Sequence, residues 1–158
     1  MIEVKELDKL NKKLDKIGKK LIGMSSGGGN DDIPGTITDR LAIGANDIRN
    51  TIILSMRNTP KTGKHYKRGK KKHIASSAGN APAIDSGDLL KSIIFDVRPM
   101  EIEVGSIINV PPYPRYLEEG TEKMDARPWL NPAVEKHHKE IIDDVGENVF
   151  ELIKKPFK

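Results

Sequence analysis

Four groups of residues in this chain have side chains of the kind that do chemistry: His137-His138 flanked by Glu135 and Glu140, the adjacent carboxylates Glu118-Glu119, the hydroxyls of Ser76-Ser77, and a run of cations between Arg57 and Lys72. The histidine group holds zinc-ligand types, but its spacing works against a metal. Neighbouring helical residues point about 100° apart, whereas an HExxH site places its ligands at i and i+4 on one face. A solvated helix face, with His138 at the edge of the core, accounts for these residues. Glu118 and Glu119 have no partner nucleophile, and Ser76-Ser77 sits in no nucleophile-elbow pattern. The sequence therefore offers no catalytic residue, no metal ligand and no cofactor site, and a metal hydrolase is its weakest reading.

The cations are another matter. Between Arg57 and His73 stand eight Lys/Arg (Arg57, Lys61, Lys64, Lys67, Arg68, Lys70, Lys71, Lys72) and no acid. The whole chain carries +4, so the remainder is left at −4 once those eight charges are subtracted. One local basic patch on a slightly acidic protein differs from a nucleic-acid binder with cations spread over its fold. Such a patch has two uses: salt-sensitive, sequence-independent contact with DNA phosphates, or pairing with the acidic surface of a neighbouring subunit. Tyr66 and His65 are too few to make a stacking platform.

The elements that must carry these residues follow from periodicity. Apolar residues at 7, 10, 14, 17 and 21 form a narrow stripe on an amphipathic helix over residues 1–24, which needs a partner in its own subunit or the next. Ser25-Ser26-Gly27-Gly28-Gly29-Asn30 reads as a flexible linker, taken to span 25–35, since no P-loop or GxGxxG context surrounds the glycines. A domain over 36–158 follows. Its first helix starts near Thr36 with a capping box to Asp39, buries Ile37, Leu41, Ala45, Ile48, Ile52 and Met56, and stops before Thr59-Pro60.

A basic loop over 57–83, forming an arm or flap, leads to a turn at Asp85-Ser86-Gly87 and a short helix. Residues 92–97 and 101–105 then form a hairpin, and residues 113–117 a third strand. The last helix runs from Pro132 to about Ile153, capped by Asn131, with Val134, His138, Ile141, Val145, Val149 and Leu152 on one face. The expected class is α+β: a small antiparallel sheet packed by two long helices, with the N-terminal helix on its Gly/Ser linker. With no cysteine and no apolar run of membrane-spanning length, the chain reads as a cytoplasmically made, soluble protein.

Residues 113–135 carry a more particular message. Tyr116-Leu117-Glu118-Glu119-Gly120-Thr121, followed by Asp125-Ala126-Arg127-Pro128-Trp129-Leu130-Asn131-Pro132-Ala133, resembles the "Y-hydrophobic-E-x-G-T" and "x-A-R-P-aromatic-hydrophobic-x-P-A" motifs of the tailed-phage neck and tail-completion proteins typified by the gene-ten product of phage Hong Kong 97. Upstream, Thr59-Pro60-Lys61-Thr62-Gly63, the run from His73 to Ala83, and Asp85-Ser86-Gly87-Asp88-Leu89 with Ser92-Ile93 resemble a second block of that family. The resemblance covers roughly residues 36 to 153 and leaves the first 35 outside it.

It implies a non-enzymatic virion protein at the neck or top of the tail, joining head to tail as a ring, expected to be hexameric, around the DNA channel. Its partners would be further copies of itself, the adjacent head-completion or connector ring, a tail-terminator or tail-tube protein, and packaged DNA touched without sequence preference. Tyr116, Glu118, Glu119, Gly120, Thr121, Arg127 and Trp129 are expected at the neighbour-facing surface. The alternative is a sequence-independent nucleic-acid-binding module using the basic loop. Independently of any partner, Trp129 is expected to anchor its loop to the core, and Gly120 to occupy a turn with positive φ.

Overall fold

A computed structural model of the chain describes residues 5–24 and 32–154. The linker sequence Ser25–Asn30 lies outside them. In chain order the elements are α1 (Lys5–Met24), α2 (Asp32–Asn58), β1 (His65–Arg68), β2 (Lys71–Ile74), α3 (Asp88–Lys91), β3 (Ile93–Arg98), β4 (Glu101–Ser106), α4 (Tyr113–Glu119) and α5 (Asn131–Lys154). Long helices packed on small antiparallel sheets make an α+β fold. Among the described residues no helix is long and apolar enough to cross a membrane.

The framework is α2 against α5, with the β3–β4 hairpin laid on α2. The six apolar residues spaced along α2 from Ile37 to Met56 are all buried, as their helical period requires. Opposite them α5 buries Ala133, Val134, Ile141, Val145 and Val149, while His138 and Leu152 are only partly covered. In the hairpin, Ile93, Phe95 and Val97 face Ser106, Val104 and Ile102 in register, and this alternation turns one face inward. Trp129 and Leu130 complete the core from the loop before α5.

Four expectations change. First, α2 begins at Asp32 rather than Thr36, because a proline in the first turn, here Pro34, forfeits no helical hydrogen bond. The stretch available to a linker is therefore shorter than 25–35, and Thr36–Asp39 lies within the helix. Second, residues 113–117 are the helix α4 and not a third strand. Prolines at 112 and 114 cannot donate to a ladder but suit a helix start. Third, the basic segment is not an irregular loop throughout: 65–74 form a hairpin, with Arg68↔Lys71 closing the two-residue turn Gly69-Lys70. Fourth, α5 is not capped by the Asn131 side chain, whose Oδ1 is buried with no hydrogen-bond partner among the described residues.

The partner of α1 is its own subunit. Leu10 and Leu14 are buried in the common core against α5 and β4, and Ile17 is partly covered. Asn11 fixes the docking. Its Nδ2 donates to the Ile102 carbonyl at 3.1 Å and its Oδ1 accepts from the Ile102 N–H at 3.1 Å, so one amide closes both open backbone groups at that point on the outer edge of β4. Asn11→Ala should therefore lower stability by about 1–2 kcal/mol, two side chain to backbone bonds at ordinary net worth. Urea melts at matched slope would show it. A midpoint unchanged from wild type would mean that α1 docks through Leu10 and Leu14 alone.

Candidate functional site

The two sequence blocks that carry the phage resemblance, far apart in the chain, meet in space. Arg127 Nε donates to the Ser76 carbonyl at 3.1 Å, and the Gly79 N–H to the Ala126 carbonyl at 2.9 Å. Around this junction Gly63 N–H donates to Ala75 O at 2.8 Å, Ala75 N–H to Lys64 O at 3.0 Å, and the Thr62 and Ser77 hydroxyls pair at 2.9 Å. Gly63 has no alternative, since a Cβ there would overlap the Ser76 carbonyl. These bonds clamp the base of the β1–β2 hairpin to the loop between α4 and α5.

At the other end of that loop Glu118 reaches from α4 to the start of α5. Its Oε2 accepts the N–H groups of Trp129 at 2.7 Å and Leu130 at 2.9 Å, and its Oε1 that of Asn131 at 2.9 Å. Helix starts leave backbone donors without intrahelical partners. One carboxylate here takes three consecutive donors, the next residue is Pro132 with none to offer, and the helix dipole places positive potential where the charge sits. Burial of Glu118 is thereby compensated without a side-chain cation among the described residues. Trp129 is 1% exposed and its indole N–H donates to the Pro114 carbonyl at 3.0 Å, tying the same loop to the other end of α4.

Gly120 has φ 78° and ψ −179°, a region essentially reserved for glycine, and a Cβ would lie 2.9 Å from the Ala126 nitrogen and 3.0 Å from the Met124 carbonyl oxygen. The expected positive φ is thus present. The turn it opens is closed by Thr121 and Met124, whose backbones exchange bonds of 2.8 and 3.2 Å.

The seven residues expected at a neighbour-facing surface therefore separate. Glu118 and Trp129 are buried inside the subunit, where they hold α4 to α5, so they cannot present a surface. Arg127 and Gly120 are half-buried in the junction. Tyr116, Glu119 and Thr121 are exposed, with Glu119 engaged by Arg115 of its own helix at 3.0 Å. Exposed apolar side chains occur on the segment leading into α4, Ile107 and Val110 among them. Sequence reading missed the buried role of Glu118 because the bonds join a side chain to backbone more than ten residues away. The only trace was the fixed order of Glu118, Gly120 and Arg127-Pro128-Trp129.

The histidine pair diverges as helical geometry demands. His137 Nε2 lies 2.7 Å from the Thr51 hydroxyl on α2 and its Nδ1 3.3 Å from Glu140, whereas His138 Nδ1 bonds the Glu135 carbonyl. His137, not His138, is the one tied to the neighbouring helix. Among the described residues no three His, Asp or Glu side chains gather as a metal site. His73 is buried beside Asp85 at 3.1 Å, and the Tyr66 ring tilts over it at 5.0 Å, which fastens the lower part of the hairpin to the turn before α3.

No family model, curated protein or solved structure matches this chain. Its functional reading rests on the residues themselves.

Proposed function

We propose that this protein is a non-enzymatic structural component of a tailed-phage virion, acting at the neck or in tail completion as a subunit of a ring that joins head to tail around the DNA channel. The observation that carries the reading is the junction. Of the residues that carry the resemblance, Arg127 bonds to Ser76, Gly79 to Ala126 and Glu118 to Trp129, while Gly63 and Gly120 leave no room for a Cβ. A chance likeness between two separated stretches has no reason to converge on one set of mutual contacts. The ring is built from repeated heterologous contacts, for which the exposed Tyr116 and Thr121 remain candidates.

The test is complementation of a phage lacking this gene. Gly120→Val should leave filled heads and tails unjoined, because a β-branched residue is strained at that φ and would push against the Met124–Ala126 backbone. His137→Ala and His138→Ala should rescue infection. A surface variant, Tyr116→Ser, should melt like wild type yet lower joining and ring formation in sedimentation. Essential histidines with Gly120 dispensable would point to metal chemistry and away from the neck. A monomer that binds DNA tightly at physiological salt would favour the binding-module alternative.

A further inference from the structure

We infer that the β1–β2 hairpin is a phosphate-binding arm for double-stranded DNA, read without regard to sequence. It rests on the neck reading for its biological setting alone. The starting observation is electrostatic self-opposition. Lys67 and Lys72 are direct register partners across the ribbon, and Arg68 and Lys71 are the next pair. Like charges directly opposite on an antiparallel pair destabilise it. From residue 57 to residue 84 the chain holds no acid, and the next one, Asp85, lies against His73 at the lower part of the hairpin.

Lys61, Lys64, Lys67, Lys70 and Lys72 are all exposed, and none forms an ion pair with a described residue. Some cations elsewhere, Lys19, Arg40, Arg98, Arg115 and Lys154, pair with an acid of their own subunit, and what sets the hairpin apart is that its unpaired cations lie so close together. These five lysines are thus left without an ion pair by the described residues of their own subunit, on a ribbon held at the base by the junction bonds and by His73.

Three features select duplex DNA from the possible polyanions. A two-stranded ribbon has the cross-section that the major groove of B-DNA admits. The one tyrosine of the arm is already set against His73, leaving no aromatic platform for the bases of a single strand. Protein interfaces, by contrast, concentrate aromatic residues and arginine at their centre and are poor in lysine. The depression on α5 also offers a second copy no purely acidic receptor. There Lys136 and Lys139 stand beside Glu140, Asp143, Asp144 and Glu147, and Asp144 is already 3.8 Å from Arg40.

The experiment measures anisotropy of a labelled short duplex of arbitrary sequence with the full-length protein between about 50 and 200 mM salt. Five phosphate contacts give a log–log salt slope near −4.5, a loss of roughly 500-fold over that range. The variant with Lys61, Lys64, Lys67, Lys70 and Lys72 all changed to Gln should melt like wild type and lose most of that slope. At the low-salt end its binding should fall by roughly 100-fold.

If the five-site variant does not fold, the tip variant of Lys67→Gln, Lys70→Gln and Lys72→Gln carries the test, with a slope loss of about 2.7. Unchanged duplex binding in a folded variant, absent binding by the wild type, or preference for a single strand of equal length would each overturn the inference. So would loss of self-association in the variant while duplex binding persists, which would assign the arm to another subunit. Failure here leaves the joining assay untouched, and DNA binding by a protein that joins nothing would retain the arm while removing the neck.

Discussion

Glu118→Ala is expected to destabilise the subunit by about 4 kcal/mol. Two buried N–H groups and a partly buried third lose their acceptor together, and each unsatisfied buried donor costs roughly 1–3 kcal/mol before water relaxes into the space left by the side chain. The start of α5 and the Trp129 loop should loosen as a unit. Urea denaturation followed by circular dichroism measures the loss, and Glu119→Ala is the internal comparison. That neighbour is exposed and pairs only with Arg115 on the same short helix, so its removal should change stability by less than about 0.5 kcal/mol. Equal effects from the two substitutions would mean that the buried carboxylate does not hold α5.

The second large effect is Trp129→Ala, expected to cost about 3–5 kcal/mol as a large buried aromatic truncated in a packed site. Trp129→Phe separates its two contributions: it keeps most of the buried ring and deletes the bond to the Pro114 carbonyl, which is worth about 1 kcal/mol. Because this is the single tryptophan, wild-type emission reports on one place in the fold. It should be that of an indole shielded from water and shift to the red in the same urea transition seen by circular dichroism. A wild-type spectrum already typical of a hydrated indole, with Trp129→Ala melting normally, would move the residue from core to surface.

What the sequence disclosed and what it hid divide along a physical line. The buried face of α2, most of that of α5, and the β3–β4 hairpin follow from apolar periodicity, which local sequence carries directly. The hairpin at 65–74 escaped because lysine fills both of its faces, so the alternation that marks a strand has no contrast. The helix α4 escaped because so short a segment, with Tyr113, Tyr116 and Leu117 among polar residues, suits either element, and only its prolines decide between them.

The site was legible in a different way. Its residues were found through their order, but Glu118 was read as surface and found as structure, and Trp129, expected both to anchor the core and to face a neighbour, does only the first. Hydrogen bonds between α4 and the start of α5 depend on how the intervening loop folds back. No periodicity reports that. Gly120 was assigned correctly because its demand is local: one residue's φ.

The docking of α1 through Asn11 and Leu14 has a consequence for the order of events during synthesis. Its binding surface is assembled from β4 and from α5, the last described helix to leave the ribosome. At translation rates of about 5–20 residues per second, Leu10 and Leu14 wait on the order of ten seconds before α5 can cover them. During that interval the nascent helix has apolar side chains in water and neighbours of its own kind on adjacent ribosomes. The exposed Lys12, Lys13, Lys16 and Lys19 that crowd the stripe then act as a temporary guard, keeping emerging chains apart by mutual repulsion until the polypeptide can close upon itself.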